Sequence, residues 1–300
     1  MSARRAARVA LVVAGVLAFA GTSTRSSTAG VQQADGPRRP SRIVSLVPAA
    51  TEMLFGFGAG AQVVGVSSFD AFPPEVASRT RVGALVDPDL ERILSLRPDL
   101  VVVFESQREF QQQLDRAGIP RFVYRHGGLD HVIATMRDLG QRAGRGAEAE
   151  ALARSIEDRV AAVRRRVAGR PRPRTLLVFG REPVSLRNVY AAGGVGFLHD
   201  MLAAAGGTNV FADVTRENVQ ATSELILGRA PEAIVELRYG KPVSAAELAR
   251  EREVWNALRA VPAVRNGRVL LLVGDEFVVP GPRVAEATER LARALHPDAF

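Results

Sequence analysis

Aromatic side chains stand at or just beyond the ends of four predicted β-strands. The residues are Phe69, Phe104, Phe179 and Phe277, and each follows or closes a short apolar run rich in β-branched residues. Open α/β sheets bind ligands at the carboxyl ends of their strands, and an aromatic ring offers a flat apolar face to a large ligand. These positions are therefore candidates for a binding site, although phenylalanine is also a common core residue.

Polar groups that could orient a ligand follow the predicted strand ending at Phe179. Arg181, Arg187 and Tyr190 lie in the loop after it. A guanidinium group in that position could hold an anionic or amide-bearing ligand. In a chain with 40 basic residues, nearly all of them Arg, these side chains could equally be solvated loop residues.

The sequence gives little support for a metal site or for a dinucleotide-binding site. The histidines His126, His131, His199 and His296 are scattered, and the chain has no cysteine, so no cluster of metal ligands is evident. The segment 56–61, Gly-Phe-Gly-Ala-Gly-Ala, fits the dinucleotide fingerprint by its letters. It follows a predicted helix and precedes a strand, whereas the fingerprint requires a strand before it and a helix after it. We therefore predict a binding protein and not an enzyme.

A twelve-residue pattern occurs once in each half of the chain, at 91–102 and 224–235. Both copies read Glu-x-Ile-Leu-x-x-x-Pro-acid-x-aliphatic-Val. Each predicts a short helix with a glutamate in its first turn, where the helix dipole favours it, stopped before a proline that leads into a buried strand. Glu91 and Glu224 thus occupy equivalent positions, unless the pattern merely reflects how often helices end before proline.

The chain alternates buried strand patterns with helical segments, which indicates two α/β halves. The fold class predicted is two Rossmann-like lobes with mostly parallel sheets, closed by a helix over Pro282–Leu295. The predicted strands are Ile43–Val47, Gln62–Val66, Leu100–Phe104, Arg121–Val123, Thr175–Phe179, Ala233–Glu236 and Val269–Val273.

A single long helix is predicted between the halves. Residues 147–168 contain neither glycine nor proline, and their apolar positions recur at helical spacing, giving a rod of about 33 Å. The domain limits expected are 42–145 for the first lobe, 146–169 for the interlobe helix and 170–300 for the second lobe.

The N-terminal segment is typical of an exported protein. Arg4, Arg5 and Arg8 precede the apolar run Val9–Ala20, which ends in Ala-Phe-Ala. We expect a signal peptide over residues 1–20, cleaved near Ala20, then a disordered tether over 21–41, and a periplasmic or extracytoplasmic product. The alternative, an uncleaved anchor, would need a longer apolar run.

Charge gives no indication of a nucleic-acid partner. The formal net charge is +8, but the first 42 residues hold seven Arg and one Asp, so the remainder is close to neutral. Nucleic-acid binding domains usually carry a basic face instead.

Several segments together carry a family resemblance: 43–52, 64–69, 89–104, 193–211 and 274–283. They resemble the periplasmic binding proteins that serve vitamin B12 and ferric-siderophore importers, in which one rigid helix bridges two α/β lobes. The likeness is strongest to the cobalamin-binding members, because the opening segment, the Pro73-Pro74 pair and the run 275–283 match their pattern.

The resemblance implies a substrate-binding component of an ABC importer. Such a protein is a monomer when free, has no cofactor of its own, and carries its small-molecule ligand to a permease dimer with ATPase subunits. Cobalamin or a related corrinoid is the expected ligand. Glu91 and Glu224 match the acidic residues with which the family docks on its permease.

The resemblance also implies the site residues. Phe69, Phe104 and Phe179 match the aromatic lining of the cleft and Asp275 matches a polar contact to the ligand, with Phe277 beside it. Leu85 and Asn218 stand where the cobalamin-binding members have tryptophan, so we expect a cleft that is less aromatic or that accepts a different corrinoid. A ferric-siderophore or haem protein of the same fold and a ligand sensor without a transporter stay open as alternatives.

Overall fold

The computed structural model describes residues 39–240 and 244–300. The expected signal peptide and most of the expected tether lie outside the described residues. The end of the tether segment is fixed to the first lobe: Pro40 is buried, and Ser41 donates its amide and hydroxyl to Asp99 Oδ2 at 2.7 and 2.8 Å. The first lobe therefore makes contacts with the last residues of the expected tether, Pro40 and Ser41.

The first lobe is a parallel five-stranded sheet with helices on its faces. Its sheet order is β3-β2-β1-β4-β5, and every pairing is parallel, so the carboxyl ends of the strands share one edge. The elements are β1 (Ile43–Ser45), α1 (Pro48–Gly56), β2 (Val63–Val66), β3 (Thr80–Arg81), α2 (Leu90–Ser95), β4 (Leu100–Phe104), α3 (Arg108–Arg116), β5 (Arg121–Tyr124) and α4 (Leu129–Arg142).

The long helix α5 (Gly146–Val167) leads to the second lobe, whose sheet is mixed. The sheet order is β11-β10-β6-β7-β9; β10 runs parallel to β6 and β11, while β7 runs antiparallel to β6 and β9. Short β8 pairs with β6. The elements are β6 (Arg174–Gly180), β7 (Tyr190–Ala192), α6 (Phe197–Ala204), β8 (Thr208–Asn209), β9 (Asn218–Gln220), α7 (Ser223–Arg229), β10 (Ala233–Arg238), α8 (Ala245–Glu253), α9 (Pro262–Arg265), β11 (Val269–Val273) and α10 (Val284–Leu295).

The predicted fold class, two α/β lobes bridged by a long helix, is confirmed. Helix α5 buries Ile156 and Val160 in the core of the first lobe and Val163 and Val167 in the core of the second. The closing helix α10 does the same, which the sequence did not indicate. Its first turn packs against the first lobe, and the rest of its apolar face packs against the second.

The internal repeat corresponds to the same backbone unit in both lobes, α2–β4 and α7–β10. An N-cap side chain opens each helix two residues before the glutamate: Asp89 accepts from the Arg92 amide, and Thr222 accepts from the Leu225 amide. The residues before the two prolines, Arg97 and Ala230, both adopt a left-handed conformation, with φ of 46° and 44°. A helix that merely ends before a proline needs neither the same N-cap contact nor a left-handed residue before that proline. The two copies therefore share a backbone unit as well as a sequence pattern.

The glycine-rich segment 56–61 is a helix end and a turn. Helix α1 ends at Gly56, Gly58 has a φ of 80°, and a 3₁₀ turn over Gly60–Gln62 leads into β2. The order is thus helix, turn, strand, the reverse of a dinucleotide-binding unit. Over the ranges 39–240 and 244–300, none of the helices has the length and apolar character needed to cross a membrane.

Candidate ligand-binding cleft between the lobes

The carboxyl edges of the two sheets face each other across a pocket of about 180 Å³. His126, in the loop after β5, lines it from the first lobe. Phe179 at the end of β6, Asn218 on β9 and Val278 after β11 line it from the second lobe. The fold thus builds one concave site from both lobes, at the sheet edge where α/β proteins bind ligands.

The first lobe contributes His126 to this pocket, and the His126 ring lies in an aromatic cluster with Phe104 and Tyr124. Phe104 closes β4, and its ring centroid lies 5.2 Å from that of Tyr124 and 4.7 Å from that of His126. Tyr124 and His126 meet edge to face at 5.8 Å. Burial raises the pKa of Tyr124, and the negative charge of Glu217 on the opposite lobe adds to the rise. Phe104 therefore supports the exposed His126 ring from behind.

The second-lobe wall holds a larger pocket of about 590 Å³. Phe179 lines both pockets and is the wall between them. Tyr190 lies 6.5 Å from Phe179, ring centroid to ring centroid, and is partly exposed. Tyr239, just after β10, lines the same pocket and is 66% exposed. Phe179, Tyr190 and Tyr239 together give this wall an aromatic surface that suits a broad, flat ligand.

Arg181 is among the residues that line the second-lobe pocket, but its guanidinium group is already paired within the protein. Its side chain is 1% exposed. Its guanidinium group binds Glu236 Oε2 at 3.0 Å and Glu251 Oε2 at 2.8 Å, and it also donates to backbone carbonyls of its own loop. The alternative of a solvated loop Arg is wrong for this position.

The buried network is electrically balanced. Arg238 Nη1 and Nη2 reach Glu236 Oε1 and Glu251 Oε1 at 3.0 and 3.2 Å, so two guanidinium groups face two carboxylates. Trp255 Nε1 donates to Glu236 as well, at 3.1 Å. Burial acts to raise the pKa of Glu251, but the Val184 amide and the charges of Arg181 and Arg238 outweigh it and hold that pKa low. The pocket floor is therefore rigid and close to neutral.

Phe277 lies in the core of the second lobe and not in the cleft. Its side chain is fully buried, and the Arg290 guanidinium covers its ring at 4.8 Å. The 3₁₀ turn over Asp275–Phe277 directs the ring beneath α10. A ring without exposed surface cannot contact a ligand, so its assignment to the site is corrected.

Asp275 and Phe69 are at least partly exposed, but neither is among the residues that line the two pockets described above. Asp275 Oδ1 accepts from the Gly240 amide at 2.8 Å, which ties the Tyr239 loop to the end of β11. Phe69 follows β2 and is 72% exposed. Leu85, one of the positions without the expected tryptophan, borders a separate groove on the first lobe.

An ion pair fastens the two lobes beside the cleft. Arg283, just before α10, donates Nε to Glu52 Oε2 on α1 at 2.9 Å and binds Oε1 with its other arm. The same guanidinium lies 4.2 Å from the Phe72 ring. Burial raises the pKa of Glu52 against the lowering effect of Arg283. Together with α5 and α10, this contact restrains separation of the lobes.

Asp70 is a buried carboxylic acid in the segment between Phe69 and Phe72. Neither carboxylate oxygen has a hydrogen-bond partner among the described residues. Burial raises the pKa of Asp70 to about 7, and the nearby Thr51, Ser67 and Arg81 offset only part of that rise. The ionised carboxylate of Asp70 is thus energetically unfavourable inside the first lobe.

Glu91 and Glu224 are exposed on α2 and α7, outside the cleft. In both copies of the repeat the isoleucine is buried, whereas the leucine after it is exposed: Leu94 by 40% and Leu227 by 42%. On a helix, residues three apart share a face. Each lobe therefore presents one carboxylate beside one apolar side chain.

Sequence reasoning missed His126 and Tyr239 as residues of the cleft. Both lie at or after the carboxyl end of a strand, β5 and β10, which is the signal that singled out Phe104 and Phe179. His126 was judged only as a ligand of a protein-held metal, and Tyr239 lies beyond the predicted end of its strand. Applied to every aromatic residue, the same positional criterion would have found both.

The comparisons with known proteins agree with this geometry. Residues 43–275 match the family described as periplasmic binding protein. The chain is 32% identical over 256 residues to the vitamin B12-binding protein of Salmonella typhimurium, covering 85% of this chain and 90% of that one. The structure resembles a periplasmic heme-binding protein of Roseiflexus (28% identity, TM-score 0.72, coverage 87% and 99%) and a periplasmic vitamin B12-binding protein of Vibrio cholerae (24%, 0.73, 86% and 97%).

The chain belongs to the periplasmic binding protein family, in the class that the sequence resemblance indicated. It is a substrate-binding protein of an ABC importer and not an enzyme. Proteins of this kind bind a small ligand outside the cytoplasm and deliver it to a membrane permease. The cleft described above is the candidate site for that ligand.

Proposed function

We propose that the chain captures a corrinoid, cobalamin or a related compound, in the cleft between its lobes. The observation that carries this proposal is the aromatic lining from both sides: His126, backed by Phe104, shares one pocket with Phe179. A corrin is a large, flat and partly apolar disc, which two aromatic walls can cover. The identity of 32% to a vitamin B12-binding protein supports the same ligand class.

The balanced floor of the second-lobe pocket supports a ligand with uncharged polar groups. Arg181 and Arg238 are already paired with Glu236 and Glu251. A ligand carboxylate would meet no uncompensated cation there, whereas the amide groups around a corrin need only hydrogen bonds. Haem carries propionate carboxylates, and many ferric siderophores are anionic, so this wall favours the corrinoid over both.

The other predicted site residues contribute at the rim. Asp275 Oδ2 accepts a hydrogen bond from a ligand amide while Oδ1 holds the Gly240 amide. The Tyr190 hydroxyl is a second polar contact, and Phe69 covers the outer face of the ligand. The protein is exported and cleaved near Ala20, is a monomer when free, and meets a permease dimer with its ATPase subunits. The working domain limits remain 42–145, 146–169 and 170–300.

Phe179 provides the first test of the site. Phe179→Ala should weaken cobalamin binding by about 1 to 2 kcal/mol, on the order of tenfold, because the ring forms the wall shared by both pockets. Calorimetric titration of the purified variant measures this change. Phe300→Ala is the matched control, since Phe300 is also partly buried but lies at the C-terminus under Arg166 and Arg293. Equal affinity of the two variants would exclude Phe179 from the site.

Docking on the permease is the proposed role of Glu91 and Glu224. A permease dimer offers the same surface twice, and the repeat gives each lobe one exposed carboxylate at an equivalent helical position. Arginine residues on the permease can pair with these carboxylates, and such charge pairs set register and association rate. The exposed Leu94 and Leu227 add an apolar contact beside each pair. The alternative is that both glutamates only complement their helix dipoles.

The double substitution Glu91→Ala/Glu224→Ala separates these two roles. We expect unchanged ligand affinity, while uptake in cells or stimulation of a reconstituted transporter falls on the order of tenfold or more, beyond either single change. Glu148→Ala/Glu286→Ala is the matched control, because both residues are exposed glutamates in first turns of other helices. A folded double variant at Glu91 and Glu224 that still supports full uptake would show that docking does not depend on them.

A further inference from the structure

Among the described residues that line the two cleft pockets, His126 is the one histidine. Its side chain is exposed, and aromatic rings hold it on two sides, Phe104 at 4.7 Å and Tyr124 at 5.8 Å. The ring nitrogens of His199 and His296 lie 3.4 and 3.3 Å from polar protein atoms. His126 has no such neighbour in the part of the chain that the structure describes.

A single imidazole cannot hold a bare metal ion, and the described residues contain no cluster of three or more acidic, histidine or cysteine side chains suited to one. A metal macrocycle is different, because its ring supplies four of the metal's ligands and leaves only the axial positions to fill. Neutral imidazole is the usual protein ligand for such a position. The pocket places this imidazole on the wall opposite Phe179, where a disc between the walls would present its metal.

We infer that His126 is an axial ligand for the cobalt of a corrinoid whose lower axial position is open. This inference rests on the proposed function and extends it to the ligand class: corrinoids without a tethered base, such as cobinamide, are held by coordination as well as by stacking. In the binding step, a cobalt–nitrogen bond to the imidazole forms, the bond from cobalt to its axial water breaks, and the water leaves. The oxidation state of the cobalt does not change.

The experiment uses purified protein with aquocobinamide, read by visible absorption and calorimetry together. With wild type we expect the corrin spectrum to change towards that of cobinamide with free imidazole. His126→Ala should abolish this change and weaken cobinamide binding by about tenfold or more, the loss of roughly 1.4 kcal/mol or more. His131→Ala, an exposed histidine on the neighbouring helix α4, should retain both.

Cyanocobalamin is the probe that separates this inference from the proposed function. Both of its axial positions are filled, so it should bind wild type with no spectral change, and His126→Ala should weaken its binding only through the lost ring contact, by less than it weakens cobinamide binding. If it binds but the cobinamide spectrum with wild type equals that of free cobinamide at saturation, axial coordination is refuted and the corrinoid function stands. A spectral change that persists in His126→Ala also refutes axial coordination by His126. If neither corrinoid binds, the proposed function falls and this inference falls with it.

Discussion

Replacing Arg181 by methionine should lower the free energy of unfolding by about 3 to 5 kcal/mol in the absence of any ligand. The substitution keeps the volume of the side chain but leaves Glu236 and Glu251 buried with Arg238 as their remaining cation. An uncompensated buried carboxylate has a high cost, whereas the intact network is balanced. The size of the effect therefore follows from the burial of Arg181.

Trp255 gives a direct signal for this measurement. It is the only tryptophan of the chain, it is fully buried, and its indole nitrogen donates to Glu236. Denaturant unfolding followed by its fluorescence reports the network itself. Arg187→Met is the matched control, because Arg187 lies on the same loop with a side chain that is 80% exposed and should change stability by less than about 0.5 kcal/mol. An Arg181→Met protein that is as stable as wild type but binds ligand poorly would restore Arg181 as a ligand contact.

Replacing Asp70 by asparagine should stabilise the protein at pH 8 by about 2 to 4 kcal/mol and have little effect near pH 4. The pKa of Asp70 is about 7 in the folded protein, above the value of about 4 for an unfolded aspartate. Between these values the folded state binds a proton that the unfolded state does not, so the contribution of Asp70 to stability falls as pH rises. Asparagine has nearly the same shape as aspartate and no charge, so the substitution removes this loss of stability at high pH.

The measurement is the difference in unfolding free energy between wild type and Asp70→Asn at several pH values from 4 to 8, which cancels the other titrating groups. Asp99→Asn is the control of opposite sign. Burial acts to raise the pKa of Asp99, but hydrogen bonds from Ser41 and Arg42 outweigh it and lower that pKa. Its carboxylate stabilises the fold above the unfolded pKa and loses this effect in acid. Destabilisation by Asp70→Asn at pH 8 would show that its charge has a partner that the account lacks.

The sequence was sufficient for the elements that are buried and regular. Leu100–Phe104 and Val269–Val273 were predicted with the bounds observed, because both parallel strands appear as continuous apolar runs. The long helix has a clear apolar period and observed bounds of Gly146–Val167. The predicted start of the closing helix was less accurate: the helix begins at Val284, and Arg283 is its N-cap residue.

Short strands were missed because they depend on distant partners. Tyr190–Ala192 pairs with β6 and with Asn218–Gln220, and each of these two strands is only three residues long. The same applies to the two-residue strands Thr80–Arg81 and Thr208–Asn209. The antiparallel part of the second sheet could not be predicted from local pattern.

The candidate site was only partly predictable for a related reason. Phe179 and Phe277 have similar positions relative to a strand end, yet one lines the cleft and the other lies beneath α10. The direction of a side chain after a strand depends on the turn and on the helix packed over it. Arg181 is buried by Glu236 and Glu251, which lie 55 and 70 positions further along the chain. From the sequence alone, an exposed loop arginine cannot be distinguished from an arginine in a buried ion-pair network, because the carboxylates of the network come from distant segments.

The central claim, that the interlobe cleft binds a corrinoid, is tested most directly by titrating the purified protein with cobalamin, cobinamide, haem and a ferric siderophore in one calorimetric series. We expect one corrinoid bound per chain with a dissociation constant of about 1 μM or below, and haem and siderophore bound more weakly by about tenfold or more. Tight binding of haem or the siderophore, with no binding of either corrinoid, would contradict the account while leaving the family and the fold intact.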